Sequence, residues 1–381
     1  MHGKRVAFIT TAHTAEDDRI YYHLVASLVS KGFETAIFTS NSVIDNLADN
    51  LIIKGFQGNE LLKSDKINSF VRLLKDFKPD IIICSEPLAI LSAIRYRKKN
   101  NKKVPVVYDV TEWYPSKKNF SNKKPLLKPF IFVKLLFFNL YASFFVDAFI
   151  FGEHYKSLPY RFLFPFRHAA FVGYYPDLRF IQYIPAEFTA NKICLGFTGK
   201  LSKERGIINF LKTAKQLKSI VPEVNLKLKI IGWFANVIEQ QEFSKAKEEI
   251  DDVEIEIIDS LSYLQFSQSL QEIDIFFDLR AIDIINNYGL PIKLFYYAAC
   301  GRPVIFSNLK AIRREVDVSE FGYLVDPNDA EKIALLIQKY LRQPGLYLNH
   351  SNRARELSET KYNWNLLQPK FLSFINQFFI K

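Results

Sequence analysis

The chain has 381 residues, a length that favours two domains that each bury their own core. Its composition, 49% hydrophobic and 24% charged, is ordinary for a soluble globular chain. The cysteines, Cys84, Cys194 and Cys300, stand far apart and none belongs to a Cys-x-x-Cys pair, so neither a disulfide framework nor a zinc site is indicated.

Positive charge is concentrated in the first half of the chain. Residues 1–180 contain 26 Lys and Arg against 16 Asp and Glu, whereas the remaining residues are almost neutral. Such an excess indicates a negatively charged partner: an anionic lipid surface, a lipid-linked phosphate or a nucleic acid. No Lys/Arg stripe interleaved with aromatic residues has the spacing of a nucleic-acid-binding module, so we expect no nucleic-acid partner.

The N-terminal part alternates between apolar strands and amphipathic helices. Residues 5–10 are too short for the apolar core of a signal peptide and predict a first strand. A capping-box pattern from Thr14 to Asp17 and apolar residues at helical spacing then predict a helix that ends at Gly32. Further elements are predicted as a helix at 66–77 and strands at 37–38, 79–84 and 104–108. This alternation is typical of a doubly wound α/β domain.

The same alternation begins again at residue 191. Strands are predicted at 192–197, 226–231, 253–258, 273–277 and 304–306, with a helix from 207. The predicted fold class is therefore α/β, with two Rossmann-like doubly wound parallel-sheet domains facing a cleft. We expect the domains at 1–172 and 191–361, joined by a linker at 173–190, and a terminal helix within 362–381.

Within the stretch from Lys123 to Val146, residues 125–141 are strongly apolar but interrupted by Lys128, Pro129, Lys134 and Asn139. The stretch is too interrupted to span a bilayer comfortably, because a spanning helix needs roughly 20 predominantly apolar residues. Two interpretations remain: a helix lying in the membrane interface, or a buried helix of the first domain. We favour peripheral membrane contact through residues 117–146, because the charge excess coincides with it. The lysines that would meet anionic headgroups are Lys117, Lys118, Lys123, Lys124, Lys128 and Lys134.

A glycine-rich loop opens the second predicted domain. Residues 199–206 read Gly-Lys-Leu-Ser-Lys-Glu-Arg-Gly at the end of a strand and the start of a helix. Gly199 and Gly206 allow the backbone to approach a ligand closely, while Lys200 and Arg205 can hold a diphosphate without a metal. The alternative is a surface turn with two solvated cations.

A second loop lies about three quarters of the way along the chain. A Gly-Leu-Pro turn begins at Gly289 and leads into a predicted helix that Gly301 ends. Because Pro291 lies near the first turn, unpaired backbone N–H groups and the positive dipole end face one point, which favours an anion.

Together the two loops resemble the donor-sugar loops of retaining, two-domain (GT-B type) glycosyltransferases of family 4. Their sequences commonly read Gly-Arg-Leu-Ser-x-x-Lys-Gly and Gly-Leu-Pro-x-Lys-Leu-Phe-Glu-Tyr. Here the two basic residue types are exchanged, and tyrosine replaces a glutamate at 296. The resemblance implies that Lys200 and Arg205 act on the departing phosphate. The implied donor-binding residues are Gly199, Gly206, Asn287, Tyr288, Gly289, Leu290, Lys293 and Tyr296.

A third segment, residues 106–115, is similar to the family pattern Tyr-Asp-x-His-Glu. Thr111 stands where the family histidine faces the donor sugar. The resemblance implies that His13, Asp109 and Thr111 contact the acceptor or the sugar, and that Glu112 belongs to the catalytic set. An ordinary loop cap is the alternative for such strand-end carboxylates.

The resemblance implies a hexosyl-type glycosyltransferase that moves a sugar from a nucleotide diphosphate sugar to a lipid-linked or cell-surface polysaccharide acceptor, with retention of configuration. It implies no metal and no cofactor besides the donor substrate. The first domain would receive the acceptor, with the terminal helix packed back on it, and the enzyme would be cytoplasmic on the inner face of the plasma membrane. The replacements at Thr111 and Tyr296 leave the alternative of a catalytically degenerate binding subunit. A sugar-nucleotide epimerase, which has the same two-domain architecture, is a second alternative on fold analogy.

Overall fold

The computed structural model describes residues 3–100, 103–116 and 124–380. Contacts within the chain divide it into two compact units. Residues 1–173 and 367–381 form the first unit, and residues 174–366 form the second. Each unit is built on a predominantly parallel sheet, so the predicted α/β fold with two Rossmann-like domains is confirmed.

The first unit contains eight strands. They are β1 (Arg5–Thr10), β2 (Glu34–Thr39), β3 (Ile44–Ala48), β4 (Leu51–Gly55), β5 (Ile81–Cys84), β6 (Val106–Val110), β7 (Ala148–Phe151) and β8 (His168–Phe171). Their order is β3-β4-β2-β1-β5-β6-β7-β8, and neighbouring strands are parallel except for the β3–β4 hairpin. The hairpin was not predicted, because its strands are short and β3 is largely exposed, with polar residues at its second and third positions.

The helices of the first unit are α1 (Ala26–Val29), α2 (Lys63–Phe77), α3 (Pro87–Lys99), α4 (Lys128–Phe144) and α5 (His154–Leu163). A π-helical segment, Asp18–Val25, precedes α1. The cap of this segment is Asp17, whose carboxylate accepts from the Arg19 and Ile20 N–H groups, so the predicted helix begins later than the capping-box pattern suggested. Gly32, at φ 78°, follows the helix as predicted.

The second unit contains six strands and nine helices in the described chain. The strands are β9 (Lys192–Leu201), β10 (Asn225–Phe234), β11 (Glu254–Ile258), β12 (Ile275–Asp278), β13 (Val304–Ser307) and β14 (Gly322–Val325). The helices are α6 (Ile207–Ile220), α7 (Val237–Glu248), α8 (Tyr263–Ser269), α9 (Ile284–Asn287), α10 (Lys293–Ala299), α11 (Lys310–Glu315), α12 (Ala330–Arg342), α13 (Pro344–Thr360) and α14 (Trp364–Asn376), the last of which continues into the first unit.

The sheet of the second unit runs in the order β11-β10-β9-β12-β13-β14, with every neighbouring pair parallel. Alternate residues of its strands belong to two separate hydrophobic clusters: Ile275 and Phe277 pack into one, and Phe276 into the other. Both faces of the sheet are therefore covered. The strands that follow β9 are first added on one side of it, as β10 and β11, and then on its other side, from β12 onward. This reversal of the strand order lies between β9 and β12, so ligands are expected at the carboxyl ends of these two parallel strands.

The end of the chain packs with the first unit. Gln368 donates a hydrogen bond to the Ser27 hydroxyl at 3.0 Å, and the Lys4 ammonium donates to Asn376 at 3.1 Å. At the other limit of the second unit, the Trp364 N–H donates to the Pro176 carbonyl at 2.8 Å.

Helix α4 is largely exposed. Only Asn139, Ala142 and Ser143 of its side chains are buried, so the alternative of a buried helix is wrong. The stretch Pro125–Phe144 is long and apolar enough to cross a membrane by length and composition, and 17% of its most apolar part is buried in the protein. Three of the lysines expected to flank it, Lys117, Lys118 and Lys123, lie outside the described residues.

Candidate functional site

The two loops predicted from the sequence meet in the second unit. The Lys293 ammonium donates a hydrogen bond to the Thr198 carbonyl, at the end of β9. Gly199 follows in a left-handed conformation, φ 102°, and a Cβ there would collide with the Lys293 nitrogen. Gly206, at φ 89°, lies so close to the Leu279 carbonyl that a side chain would not fit. The glycines therefore permit the close approach of both loops to the ends of β9 and β12.

A group of charges gathers at these strand ends. Asp278 ends β12 and is only 5% exposed. Arg280 donates from Nε to its carboxylate at 2.7 Å and pairs with it through a second guanidinium nitrogen. Arg205 and Lys293 also act electrostatically on Asp278. We call Arg205, Asp278, Arg280 and Lys293 the cation cluster: three positive side chains surround one carboxylate.

The pKa shifts within the cation cluster follow from burial and from this imbalance. The pKa of Lys293 is lowered to about 8. Burial is the largest cause, and the charges of Arg280 and Arg205 add to it, while the charge of Asp278 acts in the opposite direction. Burial alone raises the pKa of Asp278, but the neighbouring cations outweigh it and hold that pKa below its usual range. The cluster therefore has an excess of positive charge, which an anion would neutralise.

Sequence reasoning found Arg205 and Lys293 but missed Asp278 and Arg280. A signal was present, because Asp-Leu-Arg directly follows the buried residues of β12. Charged residues immediately after a buried parallel strand lie at the ligand-binding edge of the sheet. Which of several such strand ends meets the glycine-rich loop depends on the strand order.

Lys200 stands apart from the cluster in its contacts. It is exposed, and in the described part of the chain no hydrogen bond or ion pair engages its side chain. It is also absent from the charges that shift the pKa values of Asp278 and Lys293. The structure thus brings Arg205 to Lys293 but gives no such link for Lys200, whose catalytic role stays a prediction.

The residues before the Gly-Leu-Pro turn contact helix α11. Asn287 accepts a hydrogen bond from the Lys310 backbone N–H at 2.7 Å, and the Lys310 ammonium donates to the Tyr288 hydroxyl at 3.1 Å. Gly289 does not have a positive φ, and a Cβ there would make only ordinary contacts. Leu290 packs against the hydrophobic cluster beneath the loop.

The amino end of α10 differs from the expected anion site. The N–H groups of Leu294 and Phe295 donate to carbonyls within the turn, at 3.1 Å each, so fewer of them are unpaired than the sequence predicted. The Tyr296 side chain is 5% exposed and packs edge-on against Tyr263 in the core. Positive side chains therefore provide more of the anion attraction here than the helix end does.

A second polar group lies at the corresponding reversal point of the first sheet, between β1 and β5. The His13 ring bonds Asp17 through Nδ1 at 2.8 Å, and its Nε2 lies 3.7 Å from a Glu86 oxygen and 3.5 Å from the Thr111 hydroxyl. Glu86 also accepts from the Thr11 N–H at 2.7 Å. A histidine ring thus lies beside Thr111, the position at which the resemblance expects one.

This environment stabilises the protonated form of His13. Burial lowers its pKa, but the hydrogen bond to Asp17 and the charges of Asp17, Glu86 and Glu112 outweigh burial and raise the pKa to about 9. Burial raises the pKa of Glu86, although the His13 charge opposes that shift. His13 is therefore a cation at neutral pH and can donate hydrogen bonds rather than accept a proton.

Asp109 has a contact that the sequence did not predict. Its carboxylate is 1% exposed and accepts from two Arg19 guanidinium nitrogens, at 2.8 Å each. Arg19 also donates to the Val172 carbonyl at 3.0 Å. A sugar contact from Asp109 would have to break this buried bidentate pair, so the structure assigns the residue a structural role.

The remaining predicted residues of this group differ in exposure. Glu112 is exposed, whereas Thr111 is 8% exposed and its carbonyl accepts a hydrogen bond from Lys156 at 2.8 Å. Lys156 in turn pairs with Glu153 at 2.5 Å. Within the described residues there is no group of three or more His, Cys, Asp or Glu side chains that could hold a metal ion.

Comparison of the whole fold with solved structures finds close matches at low identity. Sucrose-phosphate synthase from Thermosynechococcus elongatus is 13% identical with a TM-score of 0.77, covering 99% of each chain. HepE from Anabaena, in complex with UDP-glucose, is 12% identical with a TM-score of 0.73, covering 98% of this chain and 99% of its own. A glycosyltransferase from Rickettsia africae is 13% identical with a TM-score of 0.66 over the full length of both chains.

At the sequence level, no curated protein matches the chain. The family model described as glycosyl transferases group 1 matches residues 184–357, a segment that contains the glycine-rich loop, the cation cluster and the Gly-Leu-Pro turn. The match to this family model and the similarity in fold confirm the predicted resemblance to two-domain glycosyltransferases. The assignment to family 4 stays a prediction. Residues 184–357 of this chain are thus similar to the glycosyl transferases group 1 family.

Proposed function

We propose that the chain is a glycosyltransferase that takes a hexosyl group from a nucleotide diphosphate sugar and transfers it with retained configuration. The cation cluster is the observation that carries the proposal. Its three cations exceed its one carboxylate by two charges, which equals the charge of the diphosphate in a nucleotide sugar. UDP-sugars are the first donors to test, because the similar fold of HepE was solved with UDP-glucose.

The chemistry of the reaction suits this arrangement. Cleavage of the sugar–phosphate bond passes through an oxocarbenium-like state while negative charge develops on the leaving diphosphate. Arg205, Arg280 and Lys293 are preorganised cations around the place where that charge would form, and such electrostatic stabilisation is usually the largest catalytic contribution. The donor's own phosphate can assist deprotonation of the acceptor, so neither a side-chain nucleophile nor a metal is needed.

The proposed acceptor is a lipid-linked or cell-surface polysaccharide, reached at the inner face of the plasma membrane. Helix α4 supports this part of the proposal. Its side chains Phe130, Phe137 and Phe144 are 75%, 66% and 62% exposed, an unusual arrangement for aromatic residues in water. Residues 113–176 contain nine Lys and Arg against two Asp and Glu, so this apolar surface lies in a strongly basic part of the chain.

A donor screen tests the catalytic part. The chain is incubated with a mixed panel of nucleotide sugars, the retained species is identified by native mass spectrometry, and released nucleoside diphosphate is measured with and without a membrane lipid extract. We expect Arg280→Gln to lower binding of the retained nucleotide by about 2 kcal/mol, or roughly 30-fold. Lys203→Gln, at an exposed lysine of the same loop, should leave binding unchanged.

The same screen separates the alternatives. Retention of a nucleotide sugar without release of diphosphate, with every acceptor offered, favours the binding subunit, to which the replacements at Thr111 and Tyr296 point. Conversion of the donor in the absence of acceptor favours an epimerase. Equal retention by the wild type and Arg280→Gln would refute the assignment of the cation cluster as the diphosphate site.

Vesicle co-sedimentation tests the membrane part. Phe130→Ser combined with Phe137→Ser removes two exposed rings from one face of α4, and each buried Phe contributes about 1.5–3 kcal/mol. We expect binding to anionic vesicles to fall at least about tenfold. The matched control is Val237→Ser with Ile238→Ser, two residues of the second unit that are 66% and 67% exposed. Equal binding by all three proteins would refute the membrane contact.

A further inference from the structure

The last turn of α5 and the loop between α5 and β8 expose large aromatic side chains on the first unit. Phe166 is 97% exposed and Phe162 is 83% exposed. Each ring presents on the order of 150–250 Å² of mostly apolar surface, and two such exposed rings four positions apart in the sequence indicate an interaction surface. The loop precedes β8, so it lies at the amino end of the strands, opposite the edge that carries His13.

A cavity of about 420 Å³ lies beneath this loop. The rings of Phe149, Phe151 and Phe164 form its walls, and Arg161 and Arg167 also line it. The Phe149 and Phe164 rings stack at 5.7 Å. The cavity thus combines an apolar interior with two guanidinium groups, which is the chemistry of a phospholipid: an acyl chain joined to a phosphate.

The two arginines have no counter-ion in the described part of the protein. No carboxylate lies within ion-pair distance of either; Arg161 lies over the Phe171 ring at 5.8 Å, and Arg167 donates to the Phe144 carbonyl at 3.2 Å. The acidic residues in this part of the sequence are already paired. They are Asp147, bound to Arg97 at 2.8 Å, and Glu153, bound to Lys156 at 2.5 Å.

The loop is continuous with the exposed surface of α4. The Arg167–Phe144 hydrogen bond joins it to the last residue of that helix. A helix of 17 residues is about 25 Å long, so α4 and the loop together form an elongated apolar surface with the cavity at one end. A surface of this shape and charge is complementary to a bilayer rather than to a small soluble ligand.

We propose that the segment Arg161–Arg167 binds an anionic phospholipid of the bilayer. Arg161 and Arg167 hold the phosphate, Phe162 and Phe166 enter the acyl region, and the aromatic cavity receives the upper part of an acyl chain. The inference rests on the proposed membrane contact of α4 and adds a second element with lipid selectivity. Because the segment lies at the amino end of the strands, its role is attachment to the membrane and not presentation of the acceptor.

The test measures co-sedimentation of the full chain with vesicles of phosphatidylcholine alone and with equimolar phosphatidylcholine and phosphatidylglycerol. Each Lys or Arg at an anionic surface contributes about 1 kcal/mol, so Arg161→Gln with Arg167→Gln should lose roughly 30-fold on the mixed vesicles. The same variant should bind phosphatidylcholine vesicles as the wild type does. Phe162→Ser with Phe166→Ser should weaken binding to both.

Controls keep the outcomes distinct. Lys212→Gln with Lys245→Gln removes the same charge from exposed positions of the second unit and should bind normally. Thermal unfolding verifies that each variant is folded. If the α4 variant loses binding while the loop variants bind as the wild type does, this inference is overturned and the membrane contact stands. If the wild type binds neither vesicle, both are overturned.

Discussion

The protonation of Lys293 provides a sharp test of the cation cluster. In the free protein burial lowers its pKa to about 8, with Arg280 and Arg205 adding to the effect and Asp278 opposing it. A bound diphosphate brings two negative charges to the same place and raises that pKa again. Above about pH 8 the free protein has lost the Lys293 proton, so binding must take a proton up from solution.

The expected size of the effect follows from this pKa. If Lys293 keeps its proton at every pH while the nucleotide sugar is bound, the affinity for the nucleotide sugar is constant well below pH 8. Above pH 8 this affinity falls about tenfold for each pH unit. Between about pH 7 and about pH 9 the affinity for UDP-glucose should fall about tenfold, or about 1.4 kcal/mol. UDP-glucose is the appropriate probe because its diphosphate has no group that titrates in this range.

Isothermal titration calorimetry across this range, in two buffers of different protonation enthalpy, measures both affinity and proton uptake. Lys293→Arg is the matched control, since an arginine keeps the charge but does not titrate, and its affinity should not change with pH. Lys293→Gln should bind weakly at every pH. A tenfold decline that persists in Lys293→Arg would assign the proton to another group and refute the reasoning.

Three further predictions concern stability. Gly206→Ala should destabilise the protein by more than about 1–2 kcal/mol in urea unfolding, because its φ of 89° and the adjacent carbonyl exclude a side chain, whereas Gly345→Ala, in open space, should not. Asp109→Asn should cost about 3–5 kcal/mol in the same assay, because it removes the negative charge that pairs with the buried Arg19 guanidinium. His13→Gln should lower the free energy of unfolding, because the protonated ring stabilises the folded state. This loss should be largest below pH 6.5, the ordinary pKa of histidine, and should disappear as the pH rises through about 9. A difference from the wild type that does not shrink over that range would contradict the raised pKa of His13.

The fold was predictable because its strands are short apolar runs separated by helices. The predicted strand at 304–306 is Val304–Ser307, and the predicted helix start at 207 is correct to the residue. Parallel strands covered on both faces give continuous apolar runs, which a single sequence shows clearly. The β3–β4 hairpin was not predictable, because the exposed strand β3 has no continuous apolar run.

The site was only partly predictable, because loop motifs are local and charge clusters are not. Gly199 and Lys293 were recognised from neighbouring residues, and the structure shows them in contact. Asp278 and Arg280 join them only because β12 lies beside β9, which the sequence order of the strands does not state. The buried pair of Asp109 with Arg19 was not predicted for the same reason, since the two residues are 90 positions apart.

The two units use the same topological position for opposite electrostatics. At the β9–β12 reversal three cations surround one carboxylate, whereas at the β1–β5 reversal the carboxyl groups of Asp17, Glu86 and Glu112 act on the His13 cation. An anionic diphosphate is attracted by the first arrangement and repelled by the second. The carboxylates and the His13 cation instead suit the hydroxyl groups of a neutral sugar, which can donate to one and accept from the other. Under the proposed function, this difference in charge favours the second unit as the site of the diphosphate, although both sheets offer a ligand-binding edge of the same design.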